Sequence, residues 1–394
     1  MRRTVLAILL AILLAAASTA ASAQTSQRHP TGHSLVGLPA LNFDADEGMG
    51  YGALLQYYEY GEGASPYRYT IQPTLFLTTK GRKDVTVFFD APHLLPVGWR
   101  LSGSAAREQH LATPYYGVGN ATIAVDAATR PADPYFYRYG RRTLRASAML
   151  QRDLLGPSLR LLGGVGAASI SVTPVPYDSG TTLFAIELGS PQRPQSRTRF
   201  VRTGLVFDTR DREIGPHRGT WAELLVQRAG FGGTEHYTRA TASVRQYVPL
   251  GGRLTLAERV VVQNVTGDVS RQELATVQSS FKDDEALGGA GSLRGIPKNR
   301  YVGKGLAFAN NELRWDAALF SLRGRPSRLV LSGFVDAGRV WTESVRMSEL
   351  ASDLHVSYGG GARIAIGPSF VLAADVGHSS QSAAAVYLGL GYLF

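Results

Sequence analysis

The sequence predicts an all-β fold, a transmembrane antiparallel β-barrel of about sixteen strands. Three observations lead to this fold class. Apolar and polar residues alternate along most of the chain, which is typical of strands with one apolar face. Short and long connections alternate between these segments, as in outer-membrane barrels. Many charged residues lie on the polar faces of the predicted strands.

These charges favour a barrel over a soluble β-sandwich or propeller, because a dry core cannot hold them and a wet lumen can. One charge does not fit the pattern. Glu258 falls on the apolar face of its strand, so the sequence predicts a bulge or a register error there. The residues that follow the pattern include Asp84, Asp90, Arg145, Arg202, Asp208, Glu223, Arg259, Asp336 and Arg363.

The N-terminal segment has the features of an export signal. Arg2 and Arg3 precede an apolar run over about 5–17, and small residues end in Ala23. The run is short for a membrane-spanning helix. We therefore predict a signal peptide over 1–23, a short N-terminal tail over 24–34 and the barrel over 35–394. The chain contains no cysteine, which excludes a disulfide framework and a thiolate metal site.

The predicted strands follow one another with turn signals between them. Short connections are predicted at Gly156-Pro157, Gly251-Gly252 and Gly367-Pro368, and long ones over about 110–134, 173–197 and 266–304. The strands are predicted near 35–43, 48–60, 67–79, 83–91, 98–109, 135–153, 157–172, 198–209, 218–230, 236–250, 252–265, 305–318, 327–340, 353–366, 369–379 and 384–394.

Aromatic residues gather near the ends of the predicted strands. Such residues suit the membrane–water interface, and ordinary strand composition is the alternative explanation. The final predicted strand ends in Phe394, with Tyr392 on the same face, which is similar to the recognition signal of outer-membrane barrels. The aromatic clusters contain Tyr57, Tyr58, Tyr60, Tyr67 and Tyr69, and then Tyr135, Phe136, Tyr137 and Tyr139.

A basic, glycine-rich insert separates the eleventh and twelfth predicted strands. Its Leu293–Ile296 segment, LRGI, resembles the V-R-G-F/Y motif in the sixth extracellular loop of the BamA/TamA family, also called the bacterial surface antigen family. The strand segments NNELRW (310–315) and GFVDAGRVW (333–341) are similar to two further family motifs. The segment 207–219 resembles the family's D-x-R-(x)n-P-x-x-G turn through Asp208, Arg210, Pro216 and Gly219.

The resemblance implies that this long loop six folds back into the lumen. There Arg294, next to Gly295, would be locked against Glu312 and Asp336, because a guanidinium away from bulk water needs paired anions. The alternative is that Arg294 is a solvated loop charge. The chain departs from the family motif at Ile296, which replaces an aromatic residue and removes its stacking.

The resemblance also implies a function in inserting or translocating polypeptides at the bacterial outer membrane. The predicted barrel begins close to the cleavage site, which leaves no room for a POTRA domain. A weak seam between the first and last strands would carry the mechanism. Pro39 has no N–H for the ladder, and Gly389 and Gly391 weaken the last strand. Pro39 could instead simply mark a strand start, and a passive pore or structural barrel is the alternative function.

Enzymatic signals are weak. Ser34 lies in G-x-S-x-x-G, one residue too long for a lipase elbow, and Ser379 beside His378 is the other candidate nucleophile. We expect no enzyme activity, no metal site and no cofactor. The net charge of +10 is scattered, so we expect contact with outer-membrane lipid and lipopolysaccharide rather than nucleic acid. Nascent outer-membrane polypeptides or a separate periplasmic protein are the other expected partners, and the sequence gives no oligomeric state.

Overall fold

A computed structural model describes residues 32–44, 48–61, 67–122, 135–173, 175, 182–188, 195–322, 324–343, 349–367 and 370–394. The predicted signal peptide, its cleavage site and most of the predicted tail lie outside these residues. None of the helices in the described residues is long and apolar enough to cross a bilayer.

Sixteen long strands within the described residues form one antiparallel sheet that closes into a barrel. Two shorter strands, β12 and β13, lie in the loop after β11 and pair only with each other. In the barrel sheet, β11 therefore pairs with β14. The strands are β1 (Gly32–Asp44), β2 (Gly48–Tyr60), β3 (Tyr69–Thr78), β4 (Arg82–Ala91), β5 (Trp99–Pro114), β6 (Arg138–Asp153), β7 (Leu159–Thr173), β8 (Gln195–Asp208), β9 (Gly219–Ala229), β10 (His236–Gly251), β11 (Leu254–Asp268), β12 (Thr276–Val277), β13 (Asp284–Glu285), β14 (Gly305–Leu322), β15 (Arg325–Trp341), β16 (His355–Ile366), β17 (Phe370–Ser379) and β18 (Ser382–Leu390).

The two helices are short and lie in connections. Helix α1 (Leu183–Leu188) lies between β7 and β8, and α2 (Arg271–Leu274) lies just after β11. The strand ends that border the long connections after β5, β7 and β11 share one end of the barrel, and tight turns such as 252–253 are at the other. Outer-membrane barrels have short periplasmic turns and long extracellular loops, so the first end is extracellular.

Alternation along the strands separates a lipid-facing surface from the lumen. On β10, Arg239, Thr241 and Ser243 are buried in the lumen, whereas Ala240 and Ala242 are exposed on the outside. The polar groups therefore collect inside, where loop six covers them. This agrees with the lumen that the charged faces predict.

The structure corrects two expectations about the strands. No bulge occurs at Glu258, which pairs in regular register with Gln246 and Asn311 and is half-buried on the outer face. Its neighbours are polar, so the strand tolerates it without changing register. The last strand is also shorter than predicted, because β18 ends at Leu390 and the following residues leave the sheet.

Candidate functional site

Loop six, residues 269–304, returns from the extracellular rim into the lumen. Its apolar residues Leu287, Leu293, Ile296 and Tyr301 pack with Val261, Leu306, Phe308 and Val340 of the wall in one buried cluster. Ile296 is only 2% exposed, so the residue that departs from the family motif fills space in this cluster. Burial of such side chains holds the loop inside the barrel.

The structure places Arg294 against both acids that the sequence suggested. Its Nε and Nη2 donate to the two carboxylate oxygens of Asp336 at 2.9 Å each, and its Nη1 donates to Glu312 Oε1 at 2.5 Å. The main-chain N–H of Arg294 also donates to Asp336, at 3.1 Å. All three residues are at most 1% exposed. The planar guanidinium group can donate to both carboxylates at once because its N–H groups point in several directions in one plane.

An aromatic ring completes the Arg294 site. The guanidinium carbon lies 3.5 Å from the centre of the Phe334 ring, which is a close cation–π contact. Phe334 is on β15, two residues before Asp336, so both point into the lumen. Phe334 of the barrel wall thus supplies the stacking that the loop loses at Ile296. Comparison of the loop with the family motif did not reveal this ring, because it lies on a strand.

The acids belong to a larger charged network that sequence reasoning missed. Arg314 Nε donates to Glu312 at 2.7 Å, and Arg363 makes two hydrogen bonds to Asp375 at 2.7 and 2.9 Å. Asp375 Oδ2 lies 3.6 Å from Arg294 Nη1. Asn310 donates to Asp336 at 2.8 Å. The lumen-facing parity of these residues was readable from the strands, but their convergence from β14, β15, β16 and β17 needed the closed sheet.

Two glycines allow the loop to approach the wall. Gly295 has φ +98, and a Cβ there would lie 2.7 Å from the main-chain nitrogen of His378. A Cβ on Gly377 would lie 2.6 Å from the main-chain carbonyl of Arg294. Real Cβ atoms do not tolerate such distances from backbone, so both positions require glycine. Gly377 was not singled out from the sequence because a strand glycine alone is a weak signal.

Hydrogen bonds to Gly295 fix the same contact. Ser379 Oγ donates to the Gly295 carbonyl at 2.7 Å, and the Gly295 N–H donates to Tyr387 Oη at 3.1 Å. Ser379 therefore holds loop six, while Nδ1 of the adjacent His378 lies 3.0 Å from the Ala383 carbonyl. The other candidate nucleophile, Ser34, lies on β1 opposite Tyr58.

The turn between β8 and β9 folds across the periplasmic end of the lumen. Glu213 Oε1 lies 3.4 Å from Arg100 Nη1 of β5, and His217 Nε2 lies 3.1 Å from Asp316 Oδ2 of β14. Arg328 of β15 donates to the Gly215 carbonyl at 3.5 Å. Because β5 and β14 lie on different sides of the turn's own strands, these contacts stretch it across the periplasmic mouth.

The family motif residues build this turn. Arg210 forms a two-point ion pair with Asp208, at 2.9 Å from each oxygen. Gly219 has φ +103, and a Cβ there would lie 2.3 Å from the Thr209 carbonyl. Pro216 lines a narrow cleft that also contains Tyr392. These four sequence-predicted residues thus shape the turn and lie far along the chain from Arg294.

A hydrogen-bonded carboxylate holds the turn's own conformation. Asp211 Oδ1 accepts the N–H groups of His217 at 3.0 Å and Arg218 at 3.4 Å. Burial acts to raise the pKa of the Asp211 carboxyl, but these two hydrogen bonds and the nearby charges of Arg212 and His217 together hold the pKa below its usual range.

The last four residues turn into the lumen, whereas the sequence predicted a strand that continues to Phe394. Gly391 has φ +89 and redirects the chain after β18. Phe394 then packs with Tyr247 and Ala257 at 7% exposure, and its main-chain oxygen accepts a hydrogen bond from Arg314 at 3.2 Å. Tyr392 lies with its ring centre 4.8 Å from the Arg314 guanidinium carbon. Strict alternation cannot reveal a single glycine in the left-handed region.

The seam between the first and last strands is short. Two residue pairs, Phe43 with Leu388 and Asp44 with Tyr387, make up its register within the described residues. In contrast, β1 pairs with β2 from Gly32 to Asp44 along its whole length. Pro39 is opposite Ala53 of β2 and lies outside the seam pairs, as does Gly389. The pairing is at the extracellular end of β1.

Comparisons with known proteins agree with this architecture. A model of the Omp85 superfamily domain matches residues 75–385. BamA from Haemophilus ducreyi, in a structure lacking POTRA domains 1–3, is similar with a TM-score of 0.59 and 15% identity over 92% of this chain and 70% of that chain. CdiB from Escherichia coli is similar with a TM-score of 0.59 and 11% identity over 93% of this chain and 64% of that chain. No curated protein sequence matches the chain.

Proposed function

Since the chain belongs to the Omp85 superfamily of outer-membrane barrels, we propose that it assists the insertion or translocation of polypeptides at the bacterial outer membrane. The work is done at the seam between β1 and β18. The observation that carries this proposal is the two-pair register of the seam in a barrel whose other strand pairs are long.

The short seam leaves main-chain groups of β1 available. Residues 32–42 precede the paired end, and a strand rises about 3.3 Å per residue, so about 35 Å of strand edge is free of a β18 partner. Unpaired N–H and C=O groups are costly inside a bilayer. An incoming extended polypeptide that pairs with this edge therefore gains hydrogen bonds by β-augmentation.

The tail favours an accessible edge. Gly391 turns residues 391–394 into the lumen, away from the line of β1. Pro39 adds a position without an N–H, which weakens any continuous pairing across the seam. In this proposal the periplasmic half of the seam receives the substrate strand, and the two pairs near Phe43 act as the hinge.

The filled lumen favours the seam over a passive pore. Loop six occupies the lumen from the extracellular side through the Arg294 contacts, and the β8–β9 turn crosses the periplasmic mouth. An open aqueous channel would need both segments to move. We further propose that the chain acts without catalytic residues, metal or cofactor, and that its partners are membrane lipid, lipopolysaccharide and unfolded outer-membrane polypeptides.

A reversible disulfide cross-link tests the proposal. Because the chain has no native cysteine, the two introduced cysteines can pair only with each other within the protein. Phe43→Cys with Leu388→Cys joins the seam at a register pair. The matched control, Phe43→Cys with Met49→Cys, joins β1 to β2 at a register pair of an ordinary hairpin. Each protein is placed in liposomes, and the rate at which a urea-unfolded eight-stranded outer-membrane barrel inserts is measured.

We expect the wild-type protein to accelerate insertion, the oxidised seam variant to lose that acceleration, and reductant to restore it. The oxidised hairpin control should keep the wild-type rate. Equal rates for the oxidised and reduced seam variant would remove the seam from the mechanism. A wild-type protein that gives no acceleration would remove the insertion function itself.

A further inference from the structure

Six basic side chains form one patch on the outer surface of the barrel. The register aligns Lys83, Gln109, Arg142, Ser171 and Gln195 across β4 to β8, as consecutive partners of one outward-facing row. Their chain neighbours Asp84, His110, Arg141 and Ser196 are buried in the lumen, which fixes the outward direction of the row.

The next rows extend the patch. Arg107 and Arg197 belong to the row of Val85, Leu144 and Ser169, and Arg199 lies two residues further along β8. On β9, Arg228 is paired with Val201 and Thr238. We call this surface the basic patch; its cations are Lys83, Arg107, Arg142, Arg197, Arg199 and Arg228, all of them exposed.

The basic patch lies at the extracellular end of the lipid-facing surface. Lys83 is the second residue of β4, Arg197 the third of β8 and Arg228 the last but one of β9, each at the end where the long loops connect. Directly towards the membrane centre, the same faces become apolar, with exposed Val87, Leu144, Val165, Val201 and Val226. The patch therefore lies at the level of the outer-leaflet headgroups.

Within the described residues, none of the six cations has a carboxylate partner. Two of them contact neutral groups instead, since Arg197 Nη2 donates to Gln195 at 3.3 Å and Arg228 Nη1 to Thr238 at 3.0 Å. The acids nearest in the sequence, Asp84 and Glu108, are on the lumen-facing parity of β4 and β5. Like charges gathered at a membrane surface attract an anion from outside the chain.

The other side of the barrel lacks such a patch in the part that the structure describes. On β16 the corresponding outward residues are Val356 and Tyr358. Arg339 of β15 also faces outward, but its Nη1 donates to the Ser352 carbonyl at 2.9 Å in the following loop. The asymmetry separates the basic patch from a general excess of positive charge.

We propose, resting on the contact with lipopolysaccharide in the proposed function, that the basic patch is a docking site for the phosphorylated disaccharide of that lipid. Guanidinium groups bind phosphate oxygens in two-point hydrogen bonds. Lys83 and Arg142 are two strands apart, about 10 Å, which suits a glycolipid with separated phosphates better than a phospholipid with one. Ser169 and Ser171 lie between the cations as partners for sugar hydroxyls, and the acyl chains run along the valines below.

Native mass spectrometry of the detergent-purified full chain tests this site. The probes are lipid A with two phosphates, the same lipid without phosphate, and phosphatidylglycerol. We expect the wild-type protein to bind the bisphosphorylated lipid at least tenfold more tightly than the other two. The variant Arg142→Gln/Arg197→Gln/Arg199→Gln should lose at least tenfold in affinity for that lipid only. Arg152→Gln, an exposed arginine at the periplasmic end of β6, is the matched control and should bind as the wild type does.

Each other outcome contradicts the proposal. Equal wild-type affinity for the two forms of lipid A refutes it without any variant. An unchanged affinity in the triple variant refutes the location. Phosphatidylglycerol that binds as tightly, with the same dependence on the arginines, replaces the glycolipid site with a general anionic surface. If the triple variant does not fold, Lys83→Gln and Arg142→Gln are measured singly, each with a several-fold loss expected.

Discussion

Replacing Arg294 with alanine should release loop six from the lumen. The change removes three side-chain hydrogen bonds to Glu312 and Asp336 and the cation–π contact with Phe334. Breaking a buried ion pair typically costs about 3–5 kcal/mol, largely because one charge remains unpaired. Here Glu312 keeps Arg314, and Asp336 keeps Asn310. The lower end, about 3 kcal/mol, is therefore the better estimate.

That free energy sets the size of the measurable effect. A loss of about 3 kcal/mol raises the population of released loop about 100-fold, since 1.4 kcal/mol is a factor of ten. Lys298 and Arg300 are 7% and 2% exposed in the closed state and become trypsin sites only when the loop leaves the lumen. When opening is fast relative to cleavage, the cleavage rate follows the open population. We therefore expect cleavage after these residues to rise by up to about 100-fold.

The assay follows these two peptides by mass spectrometry during limited trypsin treatment of the folded barrel. Arg294→Lys should give an intermediate rate, because a single ammonium cannot reach both carboxylates as the guanidinium does. Arg212→Ala removes an exposed arginine from the periplasmic turn and should leave the rate unchanged. If Arg294→Ala is cleaved at the wild-type rate, the apolar cluster alone holds the loop, and the ion pairs of Arg294 with Glu312 and Asp336 have no role in holding it.

Other predictions use the same protein. The N-terminus of the mature protein, read by Edman degradation from purified outer membranes, should start at Gln24, and an intact Met1 there would contradict export. Gly377→Ala should raise trypsin cleavage after Arg300 as Arg294→Ala does, because the new Cβ would lie 2.6 Å from the Arg294 main chain. As a control, Gly163→Ala should leave the cleavage rate unchanged, because a Cβ at Gly163 has no atom within 4 Å. Deleting Phe394 should impair assembly and lower stability, since truncating a buried Phe costs about 3–5 kcal/mol; heat-modifiable migration on gels measures both, and unchanged yield and migration would argue against a role for this residue.

The barrel could be predicted from the sequence because its signal repeats in every strand. Period-two alternation and polar faces rich in charge give the strand count and the lumen independently of any one residue. Glu258 was misjudged because alternation treats the outer face as uniformly apolar. In the structure this carboxylate lies between Gln246 and Asn311, so three neighbouring strands share a polar position that no single strand reveals.

The loop-six contacts were accessible only in part. Resemblance to a family motif pointed to Arg294, and strand parity pointed to Glu312 and Asp336. The partners that complete the site, Gly377 and Arg363, come from strands far along the chain. Their proximity depends on closure and stagger of the sheet, which local sequence does not encode. A strand glycine or a lumen arginine is too common to identify alone.

The inward turn of the last residues links the Arg294 contacts in loop six with the seam between β1 and β18. From the sequence, the Arg294 ion pairs and the seam are separate features, one in a loop and one at the strand ends. In the structure Glu312 accepts from Arg294 through one oxygen and from Arg314 through the other. Arg314 in turn donates to the main-chain oxygen of Phe394, just beyond β18. A strand that entered the seam and displaced the tail would thus remove a partner of Arg314. Arg314 would then depend more on Glu312, the carboxylate that it shares with Arg294. Because these groups are buried, such a redistribution is energetically significant, and it connects events at the seam with the position of loop six.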